Sequence, residues 1–384
     1  MQSAPDALRK IAICSAALIA LLAATNGRAA SPASAPRAVS MPAIRHVFVL
    51  VLENQSFERT FSRHSPAPYL ARELPAQGAW LLNYYAIGHN SLGNYVAMIS
   101  GQAPNEQTQG DCVTFSDFRP SRAALDPRGQ LLGVGCVYPQ FVKTLPDQLD
   151  GAGFTWKGYM EDMGKDPRRE STTCAHSALG ARDKLLEATP ADQYAVKHNP
   201  FVYFHSIIDT PARCDTHVVN LERLTQDLRQ SSSTPNFVFI TPNLCHDGHD
   251  GPCIDGEAGG LTSIDAFLRL WIPRITQSEA FRKDGLLVVT FDESDAGSEA
   301  CCGEVGLTGP RFPPGLNGPG GGRIGAVLLS PFIRAGTRTE IPYNHYSLLR
   351  SVEDIFGLPH LGLAADPSLE PFGHDIFNEG SDSH

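Results

Sequence analysis

HVFVLVLEN, residues 46–54, is the stretch on which the fold turns. Six of its first seven residues are apolar, and they do not alternate with polar ones. A strand with that pattern is covered on both faces, as in a sheet sandwiched between helices. The run stops abruptly at Glu53 and Asn54, two oxygen-bearing side chains at its carboxyl end. Three further runs share the pattern: Phe237–Thr241 (FVFIT), Leu286–Phe291 (LLVVTF) and Ile324–Ser330 (IGAVLLS). Helical spacing of apolar residues marks Leu92–Ser100, Leu145–Ala152, Leu221–Arg229, Ser263–Gln277 and Tyr346–Phe356 between and after them. Strands alternating with helices predict an α/β fold, doubly wound, with a mostly parallel central sheet and helices on both faces. Polar clusters follow the strands in register with that expectation. After the second come His246, Asp247, His249 and Asp250, and Asp292 and Glu293 end the third. In open α/β sheets, sites form at the carboxyl ends of strands.

The ends of the chain read differently from its middle. Arg9 and Lys10 precede an apolar run, Ile11 to Ala24, and Gly27-Arg28-Ala29 offers small residues at a cleavage site. Residues 1–29 therefore read as a secretory signal peptide, and the run is short for a membrane span. Residues 30–43, rich in Ser, Pro and Ala, read as a flexible lead-in. Residues 44–378 are expected to form one domain, with loop insertions near 103–140 and 299–322. Export places the protein in the periplasm or outside the cell. Residues 1–29 carry Arg9, Lys10 and Arg28 against Asp6, so their removal takes the formal net charge from −10 to −12. So acidic a chain is a poor nucleic-acid binder, and no later run is long enough for stable membrane insertion.

Nine cysteines fall to eight without Cys14, an even count that fits disulfides in an oxidising compartment. Proximity favours Cys112–Cys136, Cys174–Cys214 and Cys245–Cys253. Cys301 and Cys302 are adjacent, so they either bridge each other or pair elsewhere. Zinc thiolate binding is the rival reading, and it lacks a CxxC pair.

Glu53, Asn54, Asp292 and Glu293 are hard oxygen donors, suited to Ca²⁺, Mg²⁺ or Mn²⁺ rather than Zn²⁺ or Cu²⁺. A carboxylate where a buried strand meets a loop is costly unless paired or metal-bound. Ser91, in GHNSLGNY, opens an expected helix. It could be a plain N-cap. A hydroxyl on a divalent cation also loses its proton readily and becomes a nucleophile, and a helix N-terminus favours anions. His246, Asp247, His249 and His345 could hold a second metal, or bind phosphoryl oxygens and protonate a leaving group.

VFVLVLENQSFERTF resembles the opening signature of the secreted phosphoesterase family that includes bacterial phospholipases C and certain acid phosphatases. Gln55 and Glu58 stand where that family usually has Arg and Asp. HNSLGNYVAMISG, ITPNLCHDGHDG, VVTFDESD, GGRIGAVLLSPFIRAG and NHYSLLRSVEDIFGLPHLG also match, so the resemblance covers roughly residues 44–362. Asn344 departs from the Asp often found before the last His. The resemblance implies an alkaline phosphatase-like fold. It implies one divalent cation held by Glu53, Asn54, Ser91, Asp292 and Glu293, and a transiently phosphorylated Ser91. His246, Asp247, His249 and His345 match the region where two-metal relatives place a second ion. Some relatives carry Asp at the position of Glu293. The expected substrate is a small phosphate monoester, as for an acid phosphatase. The alternative is phospholipase C-type cleavage at a phospholipid head group. The phospholipases of this family are usually longer, and this chain lacks an aromatic-rich tail for membrane docking.

Overall fold

The computed structural model describes residues 41–303 and 319–378. The expected signal peptide, most of the lead-in, and residues 304–318 of the second insertion lie outside the described residues. Strand β1, His46–Leu52, forms where expected and every one of its residues is buried. Around it an eight-stranded sheet assembles from β2 (Ala79–Leu81), β3 (Trp156–Met160), β4 (Val218–Asn220), β5 (Phe237–Thr241), β6 (Gly285–Phe291), β7 (Ala326–Leu329) and β8 (Thr337–Thr339). The order is β8-β2-β7-β6-β1-β5-β3-β4. Only β7 runs against the rest, antiparallel to both β6 and β2. β5 and β6, which flank β1, are buried along their whole length, as their continuous apolar sequence requires.

Helix α1, Ser91–Ser100, is buried at every residue. It packs against α2, Leu145–Ala152, and α4, His345–Phe356. α1 ends on Gly101 at φ 66°, where a Cβ would lie 2.2 Å from the Leu361 carbonyl, so only glycine fits. α3, Gly260–Thr276, packs with the short helix Glu279–Asp284, which in turn contacts β1 and β6. The first insertion carries its own antiparallel ladder, Arg119–Pro120 with Gly133–Val134. All four disulfides form, at Cys112–Cys136, Cys174–Cys214, Cys245–Cys253 and Cys301–Cys302.

Strand register sets the site. Leu52 of β1 lies level with Phe291 of β6, so both strands end together. Glu53 and Asp292 therefore emerge side by side, and the Asp292 amide donates to the Leu52 carbonyl at 2.8 Å. On the other side the Glu53 amide donates to the Asp247 carbonyl at 2.8 Å, which ties the loop after β5 to the same edge. That loop can approach because Gly248, at φ 108°, would place a Cβ only 3.0 Å from the Glu53 carbonyl.

Candidate active site

Glu53, Asp247 and Asp292 are completely buried, and Glu293 is nearly so. Glu53 is the hub. Its Oε2 accepts from Ser91 Oγ at 2.9 Å and from Asn54 Nδ2 at 3.2 Å, and its Oε1 accepts from Tyr95 OH at 2.6 Å. Ser91 is the first residue of α1 and Tyr95 follows one turn later, so one helix supplies both contacts. Asn90, just ahead of Ser91, takes φ 71°, and Asn94 Oδ1 accepts from the Ile87 and Gly88 amides at 3.2 Å each. The backbone leading into the serine is thereby pinned from within its own helix.

The negative charge is answered by groups that sequence reasoning missed. His198 sits between two carboxylates, with Nε2 3.2 Å from Glu53 Oε1 and Nδ1 3.3 Å from Asp247 Oδ2. Burial alone would strip the imidazole of its proton, but the Glu53 and Asp247 charges overcome that and push its pKa up to about 9. Burial likewise opposes the charge on Glu53, and His198 and Lys197 outweigh it, holding the carboxyl at about 2. Tyr95 stacks on the His198 ring with centroids 5.3 Å apart. Lys197 Nζ lies 3.4 Å from Asp111 Oδ2, while Asp111 Oδ1 accepts from the Leu92 amide at 3.1 Å. His89 Nδ1 lies 3.2 Å from Glu293 Oε2. Lys197 and His198 sit on a short turn within a long irregular stretch, where no periodicity could have singled them out.

On the far side, Asp292 Oδ1 accepts from the Asn54 amide at 3.2 Å and the Glu293 amide at 2.6 Å. Asn54 adopts φ 49°, which an asparagine tolerates, and this turns its amide toward Asp292. Asp292 Oδ2 is buried with no hydrogen-bond partner among the described residues. Burial, then Glu53 and Glu293, push the Asp292 carboxyl well above the usual range. Burial also raises Glu293 against the pull of His89, and raises Asp247 against His198. A hard divalent cation would relieve these strained carboxylates, and Glu53, Asn54, Ser91, Asp292 and Glu293 offer it oxygen donors alone. The three carboxylates do not by themselves close to within 4.8 Å of one another, so Asn54 and Ser91 are needed to complete such a set. Two other clusters do close to that spacing, Cys245–Cys253–Asp255 and Cys245–His246–Glu257. Cys245 and Cys253 are bonded to each other, so the rival zinc-thiolate reading has no thiolate there.

The remaining predicted residues separate into distinct roles. His246 turns to Glu161 (2.9 Å) and Glu257 (3.8 Å), away from Glu53. His345 has both nitrogens engaged. Nε2 donates to the Asp292 carbonyl at 2.7 Å, and Tyr84 OH lies 3.3 Å from Nδ1. Burial depresses it to about 4, so it is neutral and holds Asp292 in place. His249 differs. Its Nδ1 bonds Asp250 at 2.8 Å, its Nε2 has no hydrogen bond among the described residues, and its side chain is 39% exposed. Asp250 raises its pKa, outweighing burial, which favours the protonated ring.

Comparison with known proteins identifies the family. Residues 63–359 match the profile of the Phosphoesterase family. The chain is 26% identical over 320 residues to a probable acid phosphatase of Kluyveromyces lactis, covering 83% of this chain and 60% of that one. It is 28% identical over 290 residues to a phosphate-repressible acid phosphatase of Penicillium chrysogenum, covering 76% and 55%. This chain thus spans less than two thirds of either fungal relative. A phosphatidylinositol-3-phosphatase of Mycobacterium tuberculosis is 26% identical over 361 residues, covering 93% of this chain and 91% of that one. Among solved structures, a protein in the alkaline phosphatase superfamily from Vibrio parahaemolyticus superimposes with a TM-score of 0.50 at 12% identity, over 87% of this chain and 72% of that one, a likeness of fold.

Proposed function

The chain belongs to the phosphoesterase family, and we propose that it hydrolyses phosphate monoesters through a phosphorylated Ser91. One observation carries this reading. The Ser91 hydroxyl, first residue of a wholly buried ten-residue helix, is held 2.9 Å from a buried carboxylate that is itself fixed by Tyr95 and His198. Such a serine is preset for attack rather than merely capping. A divalent cation held by Glu53, Asn54, Ser91, Asp292 and Glu293 would supply charge neutralisation and an acidified serine hydroxyl. Ser91 Oγ attacks phosphorus in line, forming the O–P bond as its proton passes to its acceptor, Glu53 Oε2. The P–O bond to the alcohol breaks, and His249 gives its proton to the departing oxygen. Neutral His249 then takes a proton from water as the water oxygen attacks phosphorus; the Ser91 Oγ–P bond breaks, Oγ recovers its proton from Glu53, and inorganic phosphate leaves. Positioning and electrostatics dominate, since phosphoryl transfer asks little covalent work of the protein.

The full-length match to the mycobacterial phosphatidylinositol-3-phosphatase supports a second reading, in which the chemistry is unchanged and the alcohol is an inositol lipid. A phosphodiester substrate ranks behind both, because the relatives described above are phosphatases by name. Four disulfides fit the exported location that the leader implies. Among the described residues no helix is long and apolar enough to cross a membrane.

The test is a paired assay of wild type and Ser91→Ala on p-nitrophenyl phosphate, p-nitrophenylphosphorylcholine and phosphatidylinositol-3-phosphate vesicles, with and without chelator. Cleavage of the simple monoester, lost with the mutation and with the chelator, supports the proposal. Cleavage of the choline ester alone shifts the assignment to a phospholipase C. Undiminished turnover by Ser91→Ala ends the mechanism.

A further inference from the structure

We propose that Lys197 is the side chain that binds the phosphoryl group at this site, and that Asp111 occupies it until substrate arrives. The inference rests on the phosphomonoesterase reading and adds to it the residue that meets the substrate's charge. It begins from a charge imbalance. Four buried carboxylates, Glu53, Asp247, Asp292 and Glu293, gather at this strand edge, with Glu53 in contact with Ser91, and a phosphate monoester brings further negative charge into their field. His198 lies between two of them, 3.2 Å from Glu53 and 3.3 Å from Asp247. His89 is engaged with Glu293. Lys197 is the cation that pairs with none of the four. Its side chain is only 12% exposed, and its sole ion pair among the described residues is a 3.4 Å contact with Asp111.

Asp111 imitates the ligand. One oxygen accepts from the amide of Leu92, the residue after the nucleophile, at 3.1 Å, and the other faces Lys197. A single anionic group therefore spans a backbone amide at the start of α1 and an ammonium beside it. Two phosphoryl oxygens would take those same two donors once Ser91 attacks. Nothing in ordinary helix capping asks for the backbone that presents Asp111. Asp111 at φ 51° and Cys112 at φ 54° are consecutive non-glycine residues in the left-handed region. The Cys112–Cys136 disulfide and a 2.8 Å hydrogen bond from the Cys112 amide to the Gln107 carbonyl hold them there. Backbone of that kind persists where the surroundings impose it, and it gathers at functional sites. A carboxylate on such a turn is placed for competition with an incoming anion, so apparent affinity falls by the fraction of time Asp111 is docked.

The experiment measures inorganic phosphate binding by titration calorimetry on the full chain with its divalent cation, for wild type, Lys197→Met, Lys197→Arg, Asp111→Asn and the Lys197→Met/Asp111→Asn double variant. Lys197→Met keeps the buried stem and removes the charge, and it should weaken phosphate binding by roughly 10- to 100-fold. Lys197→Arg should restore most of that, which a loss through misfolding would not. Asp111→Asn should bind phosphate several-fold tighter and lower KM for p-nitrophenyl phosphate. That gain should vanish in the double variant, because it acts through Lys197. Unchanged phosphate affinity in Lys197→Met overturns the inference. Weaker or unchanged binding in Asp111→Asn overturns the competition and leaves Asp111 as a support for Lys197. A wild type that binds phosphate through Lys197 yet cleaves no monoester would defeat the functional reading alone. Ser91-dependent turnover that ignores Lys197→Met would defeat this inference alone.

Discussion

Replacing Glu353 by Gln should flatten the pH dependence of stability. Glu353 lies on α4 with no exposed surface. Its Oε1 accepts from the Leu361 amide at 2.9 Å, and its backbone carbonyl accepts from the Leu358 amide at 2.8 Å. It therefore clamps the turn that follows the helix. Its Oε2 has no partner among the described residues. Arg350, one turn earlier, spends its guanidinium on the Ala364 and Asp366 carbonyls instead. Burial is the main cause that pushes this carboxyl from 4.5 up to about 9, so it is a neutral acid at neutral pH.

The sign follows from proton counting. The folded chain holds a proton on Glu353 that the unfolded chain has released between about pH 4.5 and 9. Stability is therefore fully present below the unfolded pKa and is lost as pH rises toward the folded one. Each unit costs about 1.4 kcal/mol, so about pH 5 to 8 costs at most about 4 kcal/mol, and relaxation around a new charge should leave roughly half. Glu353→Gln keeps an acceptor for Leu361 and cannot ionise. Urea unfolding with disulfides intact and a fixed divalent cation concentration measures the difference. Variant and wild type should be similar near pH 5, and the variant should be ahead by about 2 kcal/mol near pH 8. A difference that stays constant within about 0.5 kcal/mol over that range would refute the reasoning, because Glu353 would then be ionised in the folded chain.

Other substitutions probe the site and its scaffold. Tyr95→Phe removes the 2.6 Å donor to Glu53 and should lower kcat by roughly tenfold with little change in melting temperature. An unaltered kcat would show that the remaining contacts from His198, Asn54 and Ser91 suffice to fix Glu53. Asp292→Asn removes the buried carboxylate whose Oδ2 lacks a partner, and it should weaken divalent-cation binding by roughly 100-fold, read by calorimetry. Unchanged cation affinity would remove Asp292 from the ligand set. The Cys174→Ser/Cys214→Ser double variant opens a link 40 residues apart in sequence and should cost about 3 kcal/mol in urea unfolding while kcat/KM stays at the wild-type value. Loss of activity in the folded variant would tie that loop to catalysis.

The portion of this protein legible in its sequence is the portion that strand ends dictate. β1, β5 and β6 are continuous apolar runs, and once they are parallel neighbours their register forces Glu53, Asp247 and Asp292 to one edge. Strand β3 escaped because Lys157 and Gly158 interrupt its apolar character. Lys157 is tolerated there through its 2.6 Å pair with Asp227. Strands β2 and β8, at three residues each, are too short to carry a periodicity. Of the four predicted ionisable partners, His246 bonds Glu161 and His345 bonds the Asp292 carbonyl, contacts that no local pattern in the sequence specifies.

Charge balance could have said that something was missing, though not what. Four carboxylates converging beside one serine in a chain of net charge −10 need more than one cation to be buried together. The stretch between β3 and β4 offers eleven candidates, among them Lys165, Arg168, Arg169, Arg213, Lys197 and His198. Arg169 is taken by Asp192 at 2.8 Å, Arg168 by Asp166 and Lys165 by Asp162. Only Lys197 and His198 reach the nucleophile's edge, carried by a turn that no local pattern distinguishes. The carboxylate-bearing half of the site is thus written in strand register, and the charge-compensating half in tertiary packing. A relative with the same strand-end residues and a different loop would keep the carboxylates and balance their charge with other side chains.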